Sequence, residues 1–515
     1  MRVVFGLGQY LYRRRPSLMD AAVGARGGSV EASPRVFVDV TTSLMLAGQT
    51  RIGISRVEGE LARRLINTSE FNAIPVVFRP DGVILALSRE QADRIFNATP
   101  IYEAPSVSVL GEMASSDIPL SMASGDSGSA LAAQLRLRVT GAMRRICLAA
   151  IARTPASIRD DVRAILIHMR QIARRALYRN KAPAPGIPAP LAGSRFAPLR
   201  DEVLPALRAV VYPRHSDVLW TAGLYSNFVP LRRIGEIRKR TGLRVVTTCY
   251  DLIRVTHHQY NPSSMHADLF AADAVAMLDT SDLVFAISDW SRRELVAFSN
   301  RVGRPVPEIK VIQLGSDLSE PLSQTDLIVD LPFGLSDRRF GLTVGTIEPR
   351  KNYRLLLRIW ERLSKDPNFL LDLVIVGRPG FESDESVLEL TGSPLFGRRI
   401  HWLRDCSDGT LRHLYQASDV LVYPTFVEGW GLPVTEALSF GCPVIASDRG
   451  AIPEAGHSLV QLLDPNDEES WAKTIAQVRP RQHAEPLLKN PPTWDAAAAQ
   501  VEKQLMRFMK SRKAA

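Results

Sequence analysis

An α/β protein of two parallel-sheet domains is the architecture this sequence predicts, and three observations predict it. At 515 residues the chain is too long for one ordinary hydrophobic core. Short apolar runs alternate repeatedly with helical patterns, as parallel strands joined by crossover helices do. Many of those runs are continuously apolar, which is what strands covered on both faces require.

Taken in order, residues 1–34 are rich in Gly, Ala, Ser and Arg without a sustained period, and are expected to form a loosely ordered extension. An N-terminal domain is expected over 35–325. Val36–Val40 opens it as a strand, and Val57, Leu61 and Leu65, spaced by four, mark the following helix. Further buried strands are expected at Ile74–Phe78, Val218–Trp220, Arg244–Thr248, Val284–Ile287 and Ile309–Ile312. The boundary falls in the polar, proline-bearing stretch Ser316–Arg339. A second domain over 336–485 shows the cleaner pattern, with strands at Leu342–Val344, Leu373–Val376, Ile400–Leu403, Val420–Tyr423 and Val444–Ala446. A last helix within 490–512 is expected to pack back across the first domain. Two such modules in succession face each other across a cleft.

An insertion over about 100–210 interrupts the first domain. Ala182–Pro190 alternates proline through a loop that neither helix nor sheet accommodates. Before it, Ile158, Val162, Ile165, Met169, Ile172 and Ala176 recur at three and four, beside a stripe of Arg159, Arg163, Arg170 and Arg174. This reads as a basic amphipathic helix within 131–181.

Composition bounds the function. The hydrophobic share of 45% and charged share of 23% are those of a globular protein. Cys147, Cys249, Cys406 and Cys442 form no C-x-x-C pair, which argues against a zinc site or a disulfide framework and suits a reducing cytoplasm. No apolar stretch follows Arg13–Arg15, so no secretory signal is expected, and no run approaches the roughly 18 apolar residues of a membrane span. The net charge of +10 invites a nucleic-acid reading. That reading is disfavoured because the charge gathers in the insertion without aromatic interleaving. A catalytically silent sugar-nucleotide-binding protein is the other alternative.

Chemistry concentrates in two loops of the second domain. Glu428-Gly-Trp-Gly-Leu-Pro-Val-Thr-Glu436 follows the strand Val420–Tyr423. Gly429 and Gly431 permit close backbone approach, and Pro433 suits a first helical turn. Free amides at such a turn favour an anion such as a diphosphate. The two glutamates lie at opposite ends of this unit, so one can meet a sugar and the other a ribose. Gly345-Thr-Ile-Glu-Pro-Arg350-Lys351-Asn352 follows the first strand of the same domain and belongs on the same rim. Paired cations there can neutralise a diphosphate in its ground state and as a leaving group.

These two segments, with Phe440-Gly-Cys-Pro-Val-Ile-Ala-Ser-Asp-Arg-Gly-Ala-Ile-Pro-Glu454 downstream, resemble glycosyltransferase family 4. The resemblance is dense over about 336–475 and thinner at Arg51–Val57, Tyr250–Ile253 and Ala286–Glu294. It implies a GT-B fold, retention of anomeric configuration, no metal and no cofactor beyond the nucleotide-sugar donor. By that resemblance Glu428 contacts the donor sugar, and the amides of Trp430, Gly431 and Leu432, beside Gly429, hold phosphate or sugar oxygens. Glu436 holds the ribose, Arg350 and Lys351 hold the diphosphate, and Gly53 approaches the donor from the acceptor domain.

Two departures stand out. Thr346 occupies a position where many members carry arginine, which leaves Lys351 with more of the anionic load. Tyr250, before Asp251 on the acceptor side of the cleft, stands where many carry histidine. Tyrosine is no base near neutral pH. Retaining transfer of this kind is usually assigned to front-face attack, in which the leaving phosphate takes the acceptor's proton, so no histidine base is needed. His257, His258 and His266 lack metal-ligand spacing and read as polar loop residues, while Trp220, Trp360 and Trp402 read as core.

Similarity to bacterial O-antigen and exopolysaccharide mannosyltransferases implies mannose transfer from GDP-mannose to a polysaccharide or lipid-linked glycan. UDP-sugar and dTDP-rhamnose donors stay open. The expected location is the cytoplasm, peripheral on the anionic inner face of the cytoplasmic membrane through 131–181, with no nucleic-acid partner.

Overall fold

The computed structural model describes residues 34–47, 53–79, 82–97, 209–223, 225, 229–260, 264–318, 331–380, 383–481 and 485–511. The expected extension, the amphipathic helix within 131–181, the proline loop, and Arg51 and Ile52 lie outside them.

Two doubly wound sheets form the protein. The first has seven strands: β1 (Arg35–Asp39), β2 (Asn72–Phe78), β3 (Ile84–Ala86), β4 (Val218–Thr221), β5 (Arg244–Cys249), β6 (Leu283–Ala286) and β7 (Glu308–Val311). Their order is β3-β2-β1-β4-β5-β6-β7, parallel throughout except for β3, which pairs antiparallel with β2. The second has six parallel strands: β8 (Phe340–Val344), β9 (Asp372–Val376), β10 (Ile400–Leu403), β11 (Val420–Tyr423), β12 (Val444–Ser447) and β13 (Gln461–Leu463). Their order is β10-β9-β8-β11-β12-β13, so the winding reverses between β8 and β11.

Each expected strand is present, shifted by a residue or two at most. The short edge strands β3 and β13 are additions. Every residue of β4, β5, β6, β9, β11 and β12 is buried, in keeping with helices on both faces. Val57, Leu61 and Leu65 lie buried on the helix Ile54–Ile66. Trp220 and Trp360 are wholly buried. Trp402 packs at the edge of the core rather than within it. It is half-buried, its indole donates to the Gly377 carbonyl at 2.9 Å, and the Arg404 guanidinium lies 5.5 Å from its ring centroid. The polar end of a tryptophan favours such a boundary.

The helix Trp494–Lys510 leaves the second domain and lies against the helix Ile54–Ile66 of the first. Trp494, Ala497, Ala498, Val501, Leu505 and Phe508 form its buried stripe. Asp317 fastens its start, accepting the Trp494 amide at 2.7 Å and, through its carbonyl, the Trp494 indole at 3.0 Å. Arg64 meets Asp495 at 2.5 Å, and the Arg244 guanidinium stacks 3.6 Å from the Phe508 ring centroid.

Candidate active site

Both motif loops leave the carboxyl ends of β8 and β11, the strands flanking the reversal of the second sheet. An open α/β sheet forms its crevice there. After β8 the chain makes a 3₁₀ turn, Pro349–Lys351, ended by Asn352 in the left-handed conformation. This turn brings Arg350 and Lys351 to the loop after β11, and Glu428 is where they meet. Its Oε1 lies 2.6 Å from Arg350 Nη1 and 2.6 Å from Lys351 Nζ, and accepts the Thr425 hydroxyl at 2.9 Å. Arg350 also pairs with Glu348 at 3.0 Å. The Lys351 ammonium donates to the Tyr423 hydroxyl at 2.6 Å and sits 4.9 Å from that ring's centroid.

Glu428 and Arg350 form an ionised pair. Burial pushes the Glu428 carboxyl up, but Arg350 and Lys351 outweigh it and hold the group at about 2. Burial also opposes charge on Arg350, and there Glu428 and Glu348 prevail and raise its pKa. For Lys351 burial wins: against the pull of Glu428, and helped by the neighbouring Arg350, it holds the ammonium below its ordinary value. The rim cations are thus already neutralised by carboxylates.

Gly431, at φ 110°, begins the helix Leu432–Ser439, and a Cβ there would stand 2.6 Å from Ile452 Cδ1. Trp430 is buried, and Leu432 and Thr346 are half-buried. Glu436 lies inside that helix, 5% exposed. It accepts the Tyr415 hydroxyl at 2.8 Å, and burial raises its pKa against the Arg56 cation.

The first domain meets this loop closely. A Cβ on Gly429 would stand 2.6 Å from the Tyr250 carbonyl and 2.9 Å from Asp251 Cβ, so glycine is what lets the two backbones approach. The Tyr250 hydroxyl donates to the Ala222 carbonyl at 2.6 Å, within its own domain. Asp251 accepts the Ile253 amide at 3.0 Å. Burial raises the Asp251 pKa, Arg350 opposes the rise and Glu428 adds to it. Gly53, exposed at the start of the helix Ile54–Ile66, has φ 52° and no atom within 4 Å of where a Cβ would lie. Glu428, Arg350, Lys351, Gly429, Tyr250 and Asp251 therefore gather at one place, and Gly53 opens the helix from which Arg56 reaches the second domain. His257, half-buried, bonds Thr256 at 2.8 Å, and His258–Tyr260 forms a 3₁₀ turn. Tyr260 stacks on Phe426 across the cleft at 4.9 Å.

Residues 333–485 match the family described as glycosyl transferases group 1. The chain is 31% identical over 237 residues to O-antigen chain mannosyltransferase B of Escherichia coli, a match covering 45% of this chain and 61% of that protein's length. It is 30% identical over 174 residues to the D-inositol 3-phosphate glycosyltransferase of Rhodococcus jostii, covering 32% of this chain and 38% of that one. Among solved structures, sucrose-phosphate synthase from Thermosynechococcus elongatus superposes with a TM-score of 0.43 at 21% identity, covering 57% of this chain and 73% of that one.

Several residues around this site escaped the sequence reasoning. Arg56 reaches across the cleft to Asp408 with a bidentate pair at 2.6 and 2.9 Å. Ser288 and Ser291 donate to the Gly429 carbonyl at 2.7 and 3.2 Å. Glu454 accepts the amides of Asp289 and Trp290 at 2.8 and 2.7 Å. All lie in segments that carry the family resemblance, which was a usable signal, although none of the quoted motifs includes Asp408. Asp39 and Glu58 lie fully buried near the carboxyl ends of β1 and β4. Thr221 and Thr41 donate to Asp39 at 2.6 and 2.5 Å, and the Ser43 amide donates to Glu58 at 2.7 Å. Burial, reinforced by Asp39, raises the Glu58 pKa.

Proposed function

We propose that the chain is a retaining hexosyltransferase that moves mannose from GDP-mannose to a polysaccharide or lipid-linked glycan. One observation carries the reading: a buried, ionised Glu428 held by Arg350 and Lys351 at the reversal point of the second sheet, facing Asp251 across the cleft. A donor diphosphate entering there meets two cations and the start of the helix Leu432–Ser439. The Glu428 carboxylate then serves the sugar end, and Glu436, next to Tyr415, the ribose end. The likeness to an O-antigen chain mannosyltransferase supports mannose as the sugar. The basic segment 131–181 is assigned the role of docking on an anionic membrane where a lipid-linked acceptor lies. Among the described residues no helix is long and apolar enough to cross a membrane.

Nucleotide release from GDP-mannose, UDP-glucose and dTDP-rhamnose, with and without an O-antigen-type mannan acceptor, tests the reading. GDP release stimulated by the acceptor is expected. Release from another donor alone would overturn the mannose assignment, and release from none would overturn the transferase reading.

A further inference from the structure

We infer that Glu454 is a positioning residue: a latch that joins the domains and holds the Glu428 loop in register with Tyr250 and Asp251. The inference rests on the proposed reaction only for its kinetic consequence.

The helix Asp289–Val302 of the first domain begins with amides that no turn of its own can satisfy. Ser288 caps one of them, accepting the Ser291 amide at 2.9 Å. Two others, those of Asp289 and Trp290, are taken by both carboxylate oxygens of Glu454, which belongs to the opposite domain. A carboxylate at a helix start is favoured by the helix dipole as well as by the bonds themselves. Arg293 reaches the same carboxylate at 3.7 Å.

Glu454 stands on the turn that supports Glu428. The Ala451 amide donates to the Glu428 carbonyl at 2.9 Å, and Gly450 lies so close that a Cβ would stand 2.5 Å from that oxygen. The next carbonyl, that of Gly429, takes Ser288 and Ser291 hydroxyls from the other domain. Ser291 also donates to the Tyr250 carbonyl at 2.6 Å. One helix start is thus bonded to the donor loop, to the turn behind that loop, and to the acceptor-side residue in front of it. A cavity of about 360 Å³ lies beside this contact, lined in part by Gln313, Trp430, Glu454 and Gln500. The seam is left open at that point, and the bonds of Glu454 cross it at the edge of the opening.

The test uses the full chain with Glu454→Ala and Glu454→Gln. Small-angle scattering reads domain spread, calorimetry with GDP reads donor-side binding, and steady-state kinetics reads transfer. For Glu454→Ala we expect a larger radius of gyration, a kcat lowered about tenfold or more by loss of two charge-assisted bonds, and unchanged affinity for GDP. Glu454→Gln, which keeps one acceptor oxygen at the same reach, should lie between. Wild-type scattering and kcat in the alanine variant would overturn the inference, as would GDP affinity falling in step with kcat. If the alanine variant does not fold, the glutamine variant decides by the same measures. Scattering needs no turnover, so a wild-type protein silent on every donor would count against the reaction and leave the latch readable.

Discussion

Replacing Glu428 by glutamine should separate stability, nucleotide binding and turnover. In the wild type the carboxyl is held at about 2 by Arg350 and Lys351. Against an ordinary value of 4.5, that depression corresponds to about 3 kcal/mol of folded-state stability at neutral pH. Glutamine removes it and leaves the buried Lys351 and half-buried Arg350 without their shared carboxylate, a loss in the range of about 3–5 kcal/mol seen when one member of a buried pair is removed. For a domain of this size roughly 2–4 °C accompanies each kcal/mol, so the transition of the second domain should fall by about 6–20 °C. The sign with pH is fixed. A depressed carboxyl stabilises above its unfolded value and loses that stabilisation as pH falls through its folded value. The gap between the two proteins should therefore narrow as pH drops from 4.5 toward 2.

Ligand behaviour should run the other way. Removing one anion from beside Arg350 and Lys351 removes a like charge from the diphosphate's surroundings, so GDP should bind Glu428→Gln at least as tightly as wild type. Its thermal shift with GDP should be larger, while kcat falls tenfold or more through loss of the sugar contact. Scanning calorimetry with and without GDP, titration calorimetry and initial rates make up the assay. A variant that melts with the wild type and binds GDP tenfold more weakly would refute the reasoning.

Glu436→Ala should weaken GDP binding more than it lowers kcat, read by the same titrations. Lys351→Ala should lower kcat/KM about tenfold to a hundredfold, the scale of one charged hydrogen bond of about 1.5–3 kcal/mol, with the circular dichroism spectrum intact. Glu58, whose pKa is raised, stabilises while protonated, so wild-type stability should decline as pH rises above the ordinary carboxyl range. Thermal melts of Glu58→Gln should show a flatter decline over that interval. Sedimentation with anionic vesicles should recover the protein in a salt-sensitive manner, and Glu at Arg159, Arg163, Arg170 and Arg174 should abolish that recovery.

The strands were legible because burial on both faces leaves an unbroken apolar run, as in Leu421–Val422 or Val374–Ile375. β3 was not, being largely buried but only three residues long, and neither was β13, an edge strand whose exposed residues carry no such mark. Gln461 and Leu462 are exposed, and they pair with β12 only through the backbone. The two motif loops could be assigned to one rim because strand ends define it. What sequence could not supply is pairing. Arg350 and Lys351 looked like open anion contacts, yet they share Glu428, because a 3₁₀ turn rather than a helix start carries them. Tyr423 and Thr425 were invisible as partners for the same reason. Glu454 was hardest of all, since its partners are backbone amides, which every residue type presents alike.

The return of Trp494–Lys510 to the first domain bears on how the protein is made. Ribosomes finish the first sheet, which ends at Val311, well over a hundred residues before the helix beginning at Trp494 that covers it. Until residues 494–510 have emerged, the helix Ile54–Ile66 lacks the helix it packs against, and the nascent first domain leaves that face uncovered. Such a surface invites chaperones or a neighbouring nascent chain. Premature termination anywhere in the second domain would therefore damage the first as well, although every strand of the first sheet would already have been synthesised.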